Sequence, residues 1–146
     1  MDYLKYVNIK QGTKSEDRFS TGNTLPLTQR PFGFASFCPQ TNGRNIRWFY
    51  HPDDHAFEGF RLTHQPSPWI EDHGAINMLP QIVEPQSDIY VAYGSFDKKT
   101  AVMTPYYLNF HLNRCFADFE LTPTEYGACV RVEFEKDYNR YLSVMS

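Results

Sequence analysis

The sequence predicts an all-β protein, built as a sandwich of antiparallel β-strands. One observation is composition: the 146 residues include 12 Phe, 10 Tyr, 2 Trp, 10 Pro and 8 Gly, a mixture that favours strands and turns over helices. The other is a period of two in the apolar side chains of the C-terminal third. The length is enough for a real core, so we expect one domain or part of one.

The C-terminal segments carry the clearest alternation. Apolar side chains recur at every second position in Tyr106–Leu112, Ala117–Leu121 and Ala128–Phe134. Such a period is typical of antiparallel strands with one buried face. The chain ends within another strand-like run, Tyr141–Ser146. Residues 1–146 are therefore expected to form a truncated β-sandwich domain.

The N-terminal half is less regular. Gly and Pro interrupt residues 1–31, so we expect loops with at most a short edge strand near Tyr3–Ile9. Phe32–Cys38 is interpreted as a buried strand, Gln40–Asn45 as a turn, and Ile46–Tyr50 as a strand with Trp48 at its centre.

The stretch Phe57–Pro80 is the most informative part of the sequence. It is predicted to form a strand over Phe57–Thr63, an irregular loop over His64–Gly74 and a strand over Ala75–Leu79. Pro66 and Pro68 exclude regular structure from the loop, because each fixes φ and lacks an N–H donor. Polar and aromatic side chains on a stiff loop are typical of a binding surface. The alternative is a packed corner, in which Trp69 fills the core and His64 is hydrogen-bonded.

Bulk properties exclude several classes of protein. The net charge of −3 gives no field that favours nucleic acid or anionic lipid. No window is apolar enough for a membrane span, and the N-terminus has no signal-peptide pattern, so we expect a cytoplasmic protein where Met1 is the native start. Cys38, Cys115 and Cys129 have no metal-site spacing and are interpreted as small apolar residues.

Two clusters of polar residues are candidates for metal binding or catalysis. His51 and His55 are four apart, as in a helical metal site, but Pro52 argues against a helix there. The adjacent carboxylates of Glu71 and Asp72 are expected to hydrogen-bond a ligand or fix the loop rather than to act as acid and base, because neighbouring side chains diverge. No nucleotide fingerprint or nucleophile elbow is present. The residues alone predict a binding module without its own catalytic groups.

Several ordered motifs resemble glycoside hydrolase family 92, the exo-acting α-mannosidases. Tyr6–Asn8 with Gly12–Thr13 resembles the family's YVN…GT, and Gly22–Pro26 resembles GNTFP. Pro31–Gly33 resembles the start of PFGMVQLSPDT, and Gly59–His64 resembles GFSHTH. The correspondence runs along nearly the whole chain.

The resemblance implies an N-terminal β-sandwich domain that is followed by a much larger (α/α)6-barrel, absent from this chain. It also implies release of mannose with inversion, with calcium as cofactor and the catalytic carboxylates and calcium ligands in the barrel. No catalytic or metal-ligating residue is therefore expected in this chain, which alone should be inactive.

Substrate-binding roles follow as hypotheses from the same resemblance. Trp48 and Trp69 would stack on a sugar, His64 and Asp72 would hydrogen-bond hydroxyls, and the backbone at Gly22 and Asn23 would approach the ligand closely. The expected partners are mannose-containing glycans and the barrel domain. Two alternatives stay open: a self-standing carbohydrate-binding or interaction module, and a small zinc hydrolase that uses the histidines.

Overall fold

The fold is all-β, as predicted. The computed structural model describes residues 3–44, 49–64, 76–84 and 93–146. A short 3-10 helix, Leu4–Tyr6, precedes the strands. The strands of the described residues are β1 (Thr28–Gln29), β2 (Ser36–Gln40), β3 (Ala56–Phe57), β4 (Gly59–Thr63), β5 (Ile76–Gln81), β6 (Gly94–Ser95), β7 (Val102–Thr104), β8 (Tyr107–Leu112), β9 (Ala117–Pro123), β10 (Ala128–Phe134) and β11 (Tyr141–Met145).

The strands form two main antiparallel sheets and one small ribbon. The first sheet has the order β1-β2-β4-β5-β11, the second has the order β10-β9-β8-β7, and β3 pairs with β6. Registers are regular: Phe37 faces Leu62 across β2 and β4, and Phe110 faces Phe119 across β8 and β9.

The core lies between the two main sheets. Phe60 of β4 stacks on Phe119 of β9 with ring centroids 4.4 Å apart, and Phe57 of β3 stacks on Phe110 of β8 at 4.8 Å. All four rings are fully buried. Because one aromatic cluster joins strands from every sheet, the molecule is a sandwich with a shared apolar interior.

The alternation predicted for the C-terminal strands is confirmed. In β8, Leu108, Phe110 and Leu112 are buried, while the intervening residues are half-buried. β9 buries Ala117, Phe119 and Leu121 in the same way.

Tyr3–Ile9 has no strand and contains the 3-10 helix followed by a turn, which agrees with the expected loops. The extent of one predicted strand was wrong. The strand expected from Phe32 begins only at Ser36, because Phe32 has a left-handed φ of 59° and Gly33 N–H closes a turn onto the Arg30 carbonyl. Most of the strand expected at Ile46–Tyr50 lies outside the described residues.

The three cysteines are free thiols: Cys38 and Cys115 are buried and Cys129 is exposed. Burial raises the pKa of the Cys115 thiol to about 11, so this side chain stays neutral. No helix in the described part of the chain is long and apolar enough to cross a membrane.

Candidate functional site

The loop that contains Gly22 and Asn23 is built around the Ser15 hydroxyl. Ser15 Oγ accepts the backbone N–H groups of Thr21 (2.9 Å) and Asn23 (3.0 Å). The loop is also joined to an earlier turn, since Thr24 Oγ1 donates to the Gln11 carbonyl at 2.6 Å. Ser15 is buried, so these bonds are shielded from water and fix the backbone around Asn23.

Two glycines allow this loop to close. A Cβ on Gly22 would lie 2.9 Å from Gly12 Cα, and a Cβ on Gly12 would lie 2.7 Å from Thr24 Oγ1. Both have a positive φ, 79° at Gly12 and 145° at Gly22. The two backbones therefore touch each other, which explains glycine at both positions without a ligand.

Asn23 has the geometry of a strained, partly unsatisfied residue. Its φ of 54° is left-handed, which is uncommon outside glycine although asparagine tolerates it. Its side-chain Oδ1 is buried and has no hydrogen-bond partner among the described residues. Such an acceptor costs free energy unless a water or a ligand donates to it.

An open cleft of about 470 Å³ lies beside this loop. The described residues that line it are polar or charged: Ser15, Glu16, Asp17, Arg18, Asn42, His51 and Asp54. Carboxylates, a guanidinium group and an imidazole supply both donors and acceptors, which is the combination that a hydroxyl-rich ligand needs.

The far wall of the cleft is held by the turn after Tyr50. Thr41 Oγ1 donates to Asp54 Oδ2 at 2.7 Å and accepts the His51 backbone N–H at 2.9 Å. The Asp53 backbone N–H points to His51 Nδ1 at 3.3 Å. In a neutral His51 the ring proton therefore lies on Nε2, and that atom is buried without a partner among the described residues.

The surroundings of this turn shift the pKa values of Asp53 and Tyr50. The hydrogen bond and charge of Lys14, whose Nζ lies 2.5 Å from Asp53 Oδ2, lower the pKa of that carboxyl. Burial, and then neighbouring Cys38 and acidic groups, raises the pKa of the Tyr50 hydroxyl. Asp53 thus forms an ion pair with Lys14, and Asp54 accepts a hydrogen bond within the turn.

In the described part of the chain, His51 and His55 are not joined by further ligands into a metal site. His51 Nδ1 is occupied by the Asp53 amide. Among residues 3–44, 49–64, 76–84 and 93–146, no group of three or more His, Cys, Asp or Glu side chains is arranged to hold a metal ion.

His64 lies elsewhere, directly after β4. Its ring is exposed and meets Phe34 edge-on, with centroids 5.7 Å apart and an interplanar angle of 77°. It is not one of the described residues that line the cleft. Trp48, Trp69 and Asp72 lie outside the described residues, so their binding roles stay predictions.

The sequence analysis did not find a half-buried polar cluster beside the cleft. Glu58 Oε2 accepts from Gln40 Nε2 at 2.9 Å and from the Gly43 backbone N–H at 2.5 Å. Arg61 Nη1 donates to Gln40 Oε1 at 2.9 Å, and its guanidinium lies 4.8 Å from the Phe49 ring centroid. These residues are far apart in sequence, and no local motif signals the cluster; it fixes the loop that supplies Asn42.

Comparison with known families identifies the domain. The family model described as "Glycosyl hydrolase family 92 N-terminal domain" matches residues 6–145. The chain belongs to glycosyl hydrolase family 92. The family predicted from the motifs is therefore confirmed, and the matched part is its N-terminal domain.

Solved structures agree with this assignment. The inverting family 92 mannosidase BT2199 from Bacteroides thetaiotaomicron VPI-5482 is 35% identical, with a TM-score of 0.86 over 97% of this chain and 19% of its own. The family 92 α-mannosidase BT3965 from Bacteroides thetaiotaomicron has the same fold, at 22% identity and a TM-score of 0.82 over 97% of this chain and 20% of its own.

The chain thus spans about a fifth of the length of these solved relatives. A search of curated proteins gave no match.

Proposed function

We propose that this family 92 domain is the N-terminal part of an inverting α-1,2-mannosidase, and that it helps to form the mannose-binding pocket. The observation that carries the proposal is the 35% identity, over 97% of the chain, to a solved inverting mannosidase. The domain alone is expected to be inactive, because the acid, the base and the calcium ligands are proposed to lie in the remaining part of the enzyme.

The chemistry of inversion defines what this domain has to supply. One carboxylic acid protonates the leaving oxygen while a carboxylate activates water on the opposite face of the sugar. Binding groups outside that pair orient the ring and exclude bulk water. We propose these roles for His64, Trp48, Trp69 and Asp72, together with the loop at Gly22 and Asn23.

Asn23 is the proposed binding residue with the best structural support. Its Oδ1 has no hydrogen-bond partner among the described residues, so rotation of the side chain towards the cleft would let it accept from a sugar hydroxyl, and Ser15 already fixes the Asn23 backbone. Such preorganisation strengthens binding because little further ordering is required.

The test uses the longer enzyme with α-1,2-linked mannobiose. His64→Ala is expected to lower kcat/KM about 5- to 150-fold, since leaving a polar group of the bound sugar without its partner costs about 1–3 kcal/mol. Trp48→Ala is expected to lower it about fivefold through loss of stacking, and neither variant should change the melting temperature much. His55→Ala, another exposed histidine, is the matched control. Equal loss of folding and activity would contradict a binding role.

Two further measurements address the reaction. The first product anomer seen by NMR should be β-mannose if the enzyme inverts. Removal of calcium with a chelator should abolish turnover, and added calcium should restore it. Retention of configuration or full activity without calcium would contradict those parts of the proposal.

A stand-alone carbohydrate-binding module is the second candidate, and the exposed rings of Phe32, Phe34 and Tyr126 favour it. A module would bind mannosides without any turnover in the longest natural form of the protein. Release of mannose by that form would exclude it.

A further inference from the structure

Three strongly exposed aromatic side chains lie at one end of the sandwich. Phe32 is fully exposed, and Phe34 and Tyr126 are 72% and 80% exposed. They belong to two loops that are bonded together, since the Phe34 backbone N–H donates to the Glu125 carbonyl at 2.8 Å. We call Phe32, Phe34 and Tyr126 the aromatic platform.

The platform is rigidly held although its rings are exposed. Gly33 N–H donates to the Arg30 carbonyl at 2.8 Å, and a Cβ at Gly33 would lie 2.9 Å from that oxygen and 3.5 Å from the Thr124 carbonyl. The second loop is closed by Thr124, whose N–H donates to the Gly127 carbonyl at 2.7 Å and whose Oγ1 accepts the Gly127 N–H at 3.1 Å.

The backbone is strained where it presents the first ring. Phe32 has a φ of 59°, a left-handed conformation that is unusual for a bulky residue. Its side chain is fully exposed, so burial of the ring does not offset the backbone strain. Strain of this kind at an exposed aromatic residue points to a contact that the isolated chain does not make.

The composition of the two loops favours a sugar over a protein surface. Residues 30–35 and 123–127 contain no Leu, Ile, Val or Met. Flat aromatic faces suit the C–H face of a pyranose, while the exposed His64 imidazole, in edge contact with Phe34, offers a polar group to an adjacent hydroxyl. Shape-specific apolar contact beside a few polar groups is the usual design of a small-molecule site.

We infer that the aromatic platform binds mannose units of a glycan, with Phe34 stacking on the ring whose hydroxyl His64 contacts. This inference rests on the proposed function for the class of sugar, and it adds Phe34, Phe32 and Tyr126 as specificity-determining residues.

The experiment titrates the isotopically labelled 146-residue chain with α-1,2-mannobiose and follows its amide signals by NMR. Signals of Phe34, His64 and Tyr126 are expected to shift. Phe34→Met keeps an exposed apolar side chain but removes the ring, so it should weaken the Kd about fivefold, a typical effect of one aromatic contact. The matched control is Phe19→Met, because Phe19 is equally exposed, at 70%, in a different loop.

The outcomes separate the two proposals. An unchanged Kd in Phe34→Met together with lost binding in His64→Ala would overturn the platform and leave the proposed function in place. No shifts at any concentration of mannobiose would overturn the platform, whereas the proposed function is decided by turnover in the longer enzyme. Self-association of the chain that Phe34→Met abolishes, without sugar binding, would overturn the inference by assigning the platform to a protein partner.

Discussion

Gly59 is the residue at which the fold leaves least room for a side chain. Its φ is 138°, and a Cβ there would lie 2.4 Å from Asn77 Oδ1 and 2.5 Å from the Met78 carbonyl. Both contacting residues belong to β5, which pairs with β4, so these atoms cannot move away without breaking the sheet. We expect Gly59→Ala to lower the free energy of unfolding by about 2–4 kcal/mol, measured by urea denaturation.

Gly127→Ala is the matched control for Gly59. A Cβ at Gly127 would have its nearest neighbour, Thr124 Oγ1, at 4.0 Å, so its free energy of unfolding should change by less than about 1 kcal/mol. Similar losses for the two variants would show that strain at Gly59 is not the cause.

Ser15 gives a second prediction at the scale of one residue. Ser15→Ala removes the acceptor shared by the backbone N–H groups of Thr21 and Asn23, and we expect a loss of about 1–3 kcal/mol in stability. Hydrogen exchange at those two amides should accelerate. Ser20→Ala is the control, because the bond that Ser20 Oγ accepts from the Gly22 N–H is local and exposed. Equal acceleration of exchange in Ser20→Ala would contradict the assignment.

Residue types identified part of the candidate site, but not its geometry. The motif around Gly22 and Asn23 can be recognised in the sequence. The reason for glycine at position 22 cannot, because it depends on close contact with the backbone of Gly12, ten residues earlier. Asn42 and Asp54 line the cleft because the Asn42 N–H donates to the Phe49 carbonyl and Thr41 bonds to Asp54, contacts that no local pattern predicts. The ligand contacts proposed for Gly22 and Asn23 remain predictions.

At the scale of elements, periodicity predicted strands well where one face is buried. Ala128–Phe134 has the predicted bounds, and β8 and β9 differ from prediction by one or two residues. The predictions failed where tertiary geometry overrides composition. Phe32–Cys38 is rich in aromatic residues, yet its first half turns outward, because the Phe34 N–H bonds to Glu125 in the turn between β9 and β10.

The outer face of the second sheet carries a testable cross-strand network. Tyr107 of β8 donates its hydroxyl hydrogen to Glu120 Oε1 of β9, and Arg131 Nη1 of β10 lies 3.4 Å from Glu120 Oε2. Burial, and next the hydrogen bond to Glu120, raises the pKa of Tyr107 to about 12 from an ordinary 10.0. Because the pKa of Tyr107 is raised in the folded state, the neutral tyrosine contributes to the free energy of unfolding. This contribution is complete below pH 10 and is lost as the pH rises towards 12.

We therefore expect Glu120→Gln to lower the pKa of Tyr107 towards its ordinary value, measured by NMR of labelled tyrosine. The physical reason is that the variant removes the negative charge that opposes tyrosinate formation. Glu133→Gln is the control, because Glu133 pairs with Arg131 and has no bond to Tyr107 in the described network. An unchanged Tyr107 pKa in Glu120→Gln would assign the shift to burial alone.

At the scale of the whole molecule, the shared core determines how the sheets behave together. Phe60 of the first sheet contacts both Phe119 (4.4 Å) and Phe110 (5.3 Å) of the second. The described sequence contains no disulfide, since all three cysteines are free. Apolar contact between the sheets therefore provides the main coupling, and we expect a single cooperative unfolding transition.

Phe60→Ala tests this coupling. Truncating a fully buried phenylalanine usually costs about 3–5 kcal/mol of stability. Because Phe60 contacts both layers, the urea midpoint of unfolding should fall equally for both sheets. Far-ultraviolet circular dichroism reports the strands, and near-ultraviolet circular dichroism reports the aromatic core; their urea transitions should stay superimposed. Phe19→Ala, at a 70% exposed phenylalanine, should leave the midpoint within experimental error. Separate transitions for strands and core would mean that the two sheets unfold independently, and that the Phe60–Phe119 stack does not hold the sandwich together.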